Sequence, residues 1–197
     1  MTTMLPNEST ATDGSTPPPR SGSTTSSATV SYFPSSRISN PRVPLSLDVQ
    51  DPVTLSVQPA GPLTIKGATA INNQGGQIAS QDQMTLSTGS LDNSNIGTVA
   101  AKNALAITAT GAVQNHTNGL IYSQTADVEL NAASLANGKG EMQGQTGLDL
   151  ELSGNLDNQG GKLIAQTGDV SVSAKLVDGA ATSIWRSDSP RVVLGKT

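Results

Sequence analysis

The sequence predicts an all-β fold, a parallel β-helix of about five coils of 20 to 22 residues, and three observations carry that expectation. A three-residue unit of apolar residue, any residue, then Asn or Asp recurs at Ile71-Asn72-Asn73, Leu91-Asp92-Asn93, Val113-Gln114-Asn115, Leu135-Ala136-Asn137, Leu156-Asp157-Asn158 and Leu176-Val177-Asp178. Their third positions lie 20, 22, 22, 21 and 20 residues apart. After each of the first five comes a glycine, three or four residues on: Gly76, Gly97, Gly119, Gly140 and Gly161. Eight or nine residues past that glycine a strand begins at Met84, Leu105, Val128, Leu148 or Val170, with a second apolar residue two positions later. Period two is what a strand with one buried face requires.

Taken in chain order, residues 1–40 are rich in Ser, Thr and Pro, with Pro17, Pro18 and Pro19 adjacent. Few side chains there could offset the entropy of ordering the backbone, so the span reads as a disordered tail. Residues 41–70 alternate apolar and polar as PLSLDV, VTLSV and PLTIK, short strands that form a lead-in or cap. Residues 71–179 hold the repeats. A unit of about 21 residues cannot bury its apolar side alone, whereas stacked copies build one continuous narrow core and pair every strand above and below. Five rungs at about 4.8 Å make a rod segment about 24 Å long. The segment 180–197 contains the only Trp, departs from the repeat and reads as an irregular end or cap.

Within each unit the repeated Asn is a turn residue or an inward amide, hydrogen-bonding to the bend backbone or to the Asn of the next coil. The glycine is expected to supply a backbone angle that a side chain resists. Leu105, Ile107, Val128, Leu130, Leu148, Leu150, Val170 and Val172 should point inward. Leucine-rich repeats share the period but need an LxxLxLxxN signature and usually a helical or 3₁₀ return, whereas the return here is short and rich in Thr and Ser.

Composition agrees with a narrow rod. Apolar residues make up 35% and aromatic residues 2% of the 197, too little for a round core. The net charge of −4 comes with no Lys/Arg cluster, which argues against a nucleic-acid surface. The absence of Cys excludes disulfides and thiolate sites. The N-terminal residues show no basic start followed by an apolar run, and no stretch is apolar for long enough to cross a bilayer as a helix.

Catalytic, cofactor and metal sites are all expected to be absent. Asp127, Glu129, Asp149 and Glu151 alternate with apolar residues and should point outward, with Glu129 and Asp149 aligned on adjacent coils. Acid–base work would need them in a cleft with one carboxyl shifted, and no long inserted loop builds one. His116, the single histidine, has no second His or Cys for a zinc site. The pairs Gly75-Gly76 and Gly160-Gly161 lack the GGxGxDx continuation of calcium-binding β-rolls. The runs ITAT, TLST and VSVS do not recur at one position, as the lattice of an ice-binding solenoid would.

The units NNQGGQIASQDQMTLSTGSLDN, NSNIGTVAAKNALAITATGAVQN, NHTNGLIYSQTADVELNAASLAN, NGKGEMQGQTGLDLELSGNLDN and NQGGKLIAQTGDVSVSAKLVDG resemble the filamentous haemagglutinin repeats of large bacterial adhesins and contact-dependent inhibition proteins. The resemblance implies a right-handed parallel β-helix forming the non-catalytic shaft of an exoprotein secreted by the two-partner route. It also implies work in adhesion, aggregation, biofilm growth or toxin delivery, at the outer surface of a Gram-negative bacterium or in the medium. Implied partners are a host or bacterial cell-surface glycan or protein and, for the full-length protein, an outer-membrane transporter. Two departures stand out: members are usually far longer, and where their secretion domain carries an NPNG-type motif this chain has Asn40-Pro41-Arg42-Val43. The competing function class is a carbohydrate-active parallel β-helix, a polysaccharide lyase or hydrolase, which should gather acidic and aromatic residues in one groove.

Overall fold

The computed structural model describes residues 61–178 together with the strands Ala28–Tyr32, Leu45–Asp48, Val53–Val57, Ser183–Arg186 and Val192–Gly195. The expected tail falls outside the described residues except for Ala28–Tyr32, whose alternating ATVSY pairs with Val53–Val57. The described residues form an all-β parallel solenoid.

One coil shows how the sequence builds all of them. Ala112–Gln114 is a short strand, residues 115–119 form an arc, Leu120–Ser123 is a second strand, and Val128–Ala132 a third. Each strand pairs in parallel with its equivalents before and after it. Thus Val113 lies between Leu91 and Leu135, Ile121 between Val99 and Met142, and Leu130 between Ile107 and Leu150. The third strands make an eight-stranded sheet. The first and second strands make two runs that merge at the N-terminal end into one fourteen-stranded sheet. Val53–Val57 joins them: Val53 pairs with Ile71 and Val57 with Ile78, so this strand runs straight across the bend that later coils turn through an arc.

Burial follows the pleat. Leu105, Ile107, Val128, Leu130, Leu148, Leu150, Val170 and Val172 are each at most 1% exposed, the inward faces expected from the period of two. They form two files along the rod, Leu105-Val128-Leu148-Val170 and Ile107-Leu130-Leu150-Val172, so each side chain packs on equivalents one rung away. Small residues suit the corners: Gly144 has no room for a Cβ, which would collide with the Gly147 carbonyl.

Two features differ from the sequence reading. The last repeat unit is shifted by one residue, because Leu156 pairs with Val177 and Asp157 with Asp178, a step of 21 rather than 20. Pairing also continues past Gly179, where the repeat pattern stops. Lys162 pairs with Ser183 and Val170 with Val192, steps of 21 and 22 residues. Backbone hydrogen bonds need only coil length and strand direction, so a coil can continue the ladder without the Asn and Gly of the arc.

Candidate functional site

The repeated asparagines stand in a file inside the bend. Asn73, Asn93, Asn115, Asn137 and Asn158 are fully buried. The Nδ2 of each of the first four donates to the Oδ1 of the next coil, at 2.6 Å from Asn73 to Asn93, 2.7 Å from Asn93 to Asn115, 2.7 Å from Asn115 to Asn137 and 2.6 Å from Asn137 to Asn158, and Asn158 Nδ2 donates to the Gly161 carbonyl of its own arc at 3.3 Å. The second amide proton goes to the carbonyl just past the next coil's glycine: Thr98, Leu120, Glu141 and Lys162. Of the two readings open from sequence, the inward amide bonded to its neighbour is the one realised. Every amide points the same way along the rod, so the first oxygen has no donor. Asn73 Oδ1 is the buried side-chain oxygen left without a partner among the described residues.

The repeated glycine plays a different part from the one expected. Positive φ in the arcs falls on the residues before it, Gly75, Asn95, Ile96, Thr117, Asn118, Lys139 and Gly160. Gly97, Gly119, Gly140 and Gly161 are required because of space instead. A Cβ at Gly119 would sit 2.5 Å from the Asn93 carbonyl oxygen of the preceding coil, and the other three collide with the equivalent carbonyl. Close stacking of arcs, together with the inward amide of the arc's own Asn, excludes a side chain there, rather than a left-handed backbone.

Sequence reasoning also missed a cap. The residue before the ladder Asn closes the arc in three coils, where Asn72, Asp92 and Asp157 accept from the backbone N–H of Gln74, Ser94 and Gln159 through Oδ1. The signal was present in the middle letter of the units INN, LDN and LDN, an Asx-turn residue two positions before its donor.

Outward residues of the third strands carry the acidic groups. Glu129 pairs in register with Asp149 and Asn131 with Glu151, all four exposed. They border a half-open groove of about 300 Å³ with Ala106 and Thr108. Asn131 Nδ2 donates to Glu151 Oε2 at 3.4 Å. The coils on either side are neutral in these files: Ala106 pairs with Glu129 and Ser171 with Asp149. Asp127 is half-buried just before its strand, and its carbonyl accepts from the Leu105 N–H. His116 lies in an arc, half-buried, with Nδ1 at 2.9 Å from Thr117 Oγ1. Among the described residues no group of three or more His, Cys, Asp or Glu is placed to hold a metal ion. Tyr122, the sole aromatic residue of 61–175, belongs to the second strand of its coil, in the other sheet from the acidic groove.

An internal amide ladder, tightly stacked arcs and polar outer files define a repetitive β-solenoid shaft. The profile of the haemagglutinin repeat matches residues 60–117, 115–160 and 152–184, and the chain belongs to that family. It is an adhesin-type family whose members are typically secreted or surface-exposed. No curated protein and no solved structure matches the chain.

Proposed function

We propose that the chain is a structural shaft or adhesive module of a secreted haemagglutinin-like bacterial exoprotein, exported by the two-partner route and working at the outer surface of a Gram-negative cell. The observation that carries this reading is the unbroken file of buried amides from Asn73 to Asn158, in which the inward Asn of each of the first four coils holds the next one. A rod of this kind spaces other parts of a protein and offers flat polar faces to a cell-surface glycan or protein.

The carbohydrate-active alternative rests on one observation, the convergence of Glu129, Asp149 and Glu151 along a groove. Against it, the coils on either side bring no further acidic group into these files, and Tyr122 belongs to the other sheet. A single set of assays separates the two readings. Purified protein is tested for adhesion to bacterial and epithelial cells, and for product release from neutral and acidic polysaccharides. Adhesion without product release is the expected result. Product release that is abolished in Glu129→Gln or Asp149→Asn would overturn the proposal.

A further inference from the structure

Two Asn-Gly pairs occur in the sequence, Asn118-Gly119 and Asn137-Gly138, and the fold places them in opposite circumstances. We propose that Asn118 is a site of spontaneous deamidation and isoaspartate formation in the folded rod, and that the ladder protects Asn137 from the same reaction.

The chemistry is shared by both pairs. A following glycine lets its backbone nitrogen approach the Asn side-chain carbon, since no Cβ stands in the way. That nitrogen, deprotonated by hydroxide, attacks Cγ and expels the side-chain nitrogen as ammonia. Water then opens the resulting succinimide at either carbonyl to give aspartate or isoaspartate. Water and hydroxide are the only co-reactants, and the net change is an amide exchanged for an acid.

Geometry separates the two sites. Asn137 is fully buried, and its amide is pinned on both sides: Oδ1 accepts from Asn115 at 2.7 Å, while Nδ2 donates to Asn158 at 2.6 Å and to the Lys162 carbonyl at 3.2 Å. Cγ cannot turn toward the Gly138 nitrogen without breaking that set. Asn118 is exposed at the top of an arc, and its side chain makes no hydrogen bond among the described residues. The nitrogen that must attack it, that of Gly119, is held by the His116 carbonyl at 3.3 Å, the longest of five equivalent arc bonds that span 2.9 to 3.3 Å.

The product has a structural consequence. Asn118 stacks on the next arc through its N–H to the Lys139 carbonyl at 3.0 Å, and isoaspartate adds a backbone carbon at that point. It also places a new negative charge on the arc surface.

Peptide mapping by mass spectrometry after mild alkaline incubation tests the proposal, comparing native protein with protein unfolded in urea. In native protein, conversion at Asn118 should exceed that at Asn137 by at least about tenfold, because Asn137 must break its ladder bonds to Asn115, Asn158 and Lys162, whereas Asn118 needs only the Gly119 N–H released from the His116 carbonyl. In urea the two pairs should convert at similar rates. Equal native rates, faster conversion at Asn137, or no native conversion at Asn118 while it proceeds in urea would each overturn it.

Discussion

Asn93 Nδ2 donates to Asn115 Oδ1 at 2.7 Å across 22 residues of chain, and the same bond recurs from coil to coil with the same polarity. Asn93, Asn115 and Asn137 are therefore both acceptor and donor inside a buried bend, and removing one of them orphans a group on each side.

That polarity makes the middle of the file more sensitive than its start. Asn137→Leu leaves the Asn115 amide without its acceptor and Asn158 Oδ1 without its donor. Each orphan costs about 1–3 kcal/mol. Asn73→Ala takes a donor from Asn93 Oδ1 and from the Thr98 carbonyl but strands no ladder amide on its other side, since Asn73 Oδ1 has no donor already. Urea unfolding of the two variants should place Asn137→Leu as the less stable; the opposite order would contradict the ladder's direction.

Leu130 sits between Ile107 and Leu150 and is 1% exposed. Leu130→Ala should lower stability by about 2–5 kcal/mol, because stacked coils held at rung spacing cannot collapse into the cavity. A loss below about 1 kcal/mol in urea unfolding would show that the rungs relax around it.

Ile96 is 68% exposed and holds φ at 63°, a backbone region costly for a β-branched residue. Ile96→Asn should raise stability by about 1 kcal/mol, since Asn tolerates the left-handed region and little burial is lost. A decrease in thermal midpoint would instead point to packing by the isoleucine side chain.

Asp149→Asn and Glu151→Gln lie on the outward face and should change stability by no more than about 0.5 kcal/mol. The first should tend toward stabilisation, since it removes a like charge paired in register with Glu129. Strong destabilisation by both would mean that the acidic groove holds the fold together, for instance around a bound cation.

Much of this molecule was determined by its sequence alone. Spacing of about 21 residues, the alternation at Val128–Leu130 and Leu148–Leu150, and the recurring Asn are local patterns, and a solenoid turns local patterns into contacts with the same position one coil away. The inward files and the alignment of Glu129 with Asp149 were legible for that reason. Tertiary structure alone decided the rest. The bar on a side chain at Gly119 comes from the Asn93 carbonyl one coil below and from the ladder amide of Asn115 in its own arc, not from its own φ, and a repeat read by itself shows neither the carbonyl of the coil below nor the amide turned inward. The one-residue shift at Val177 and the continuation through Ser183–Arg186 and Val192–Gly195 were likewise invisible, because backbone pairing does not need the Asn and Gly by which the sequence marks a coil. The direction of the amide file, and with it the unpaired oxygen of Asn73, was set only when the coils stacked: an asparagine in sequence is symmetric between giving and receiving, and its neighbours in space choose.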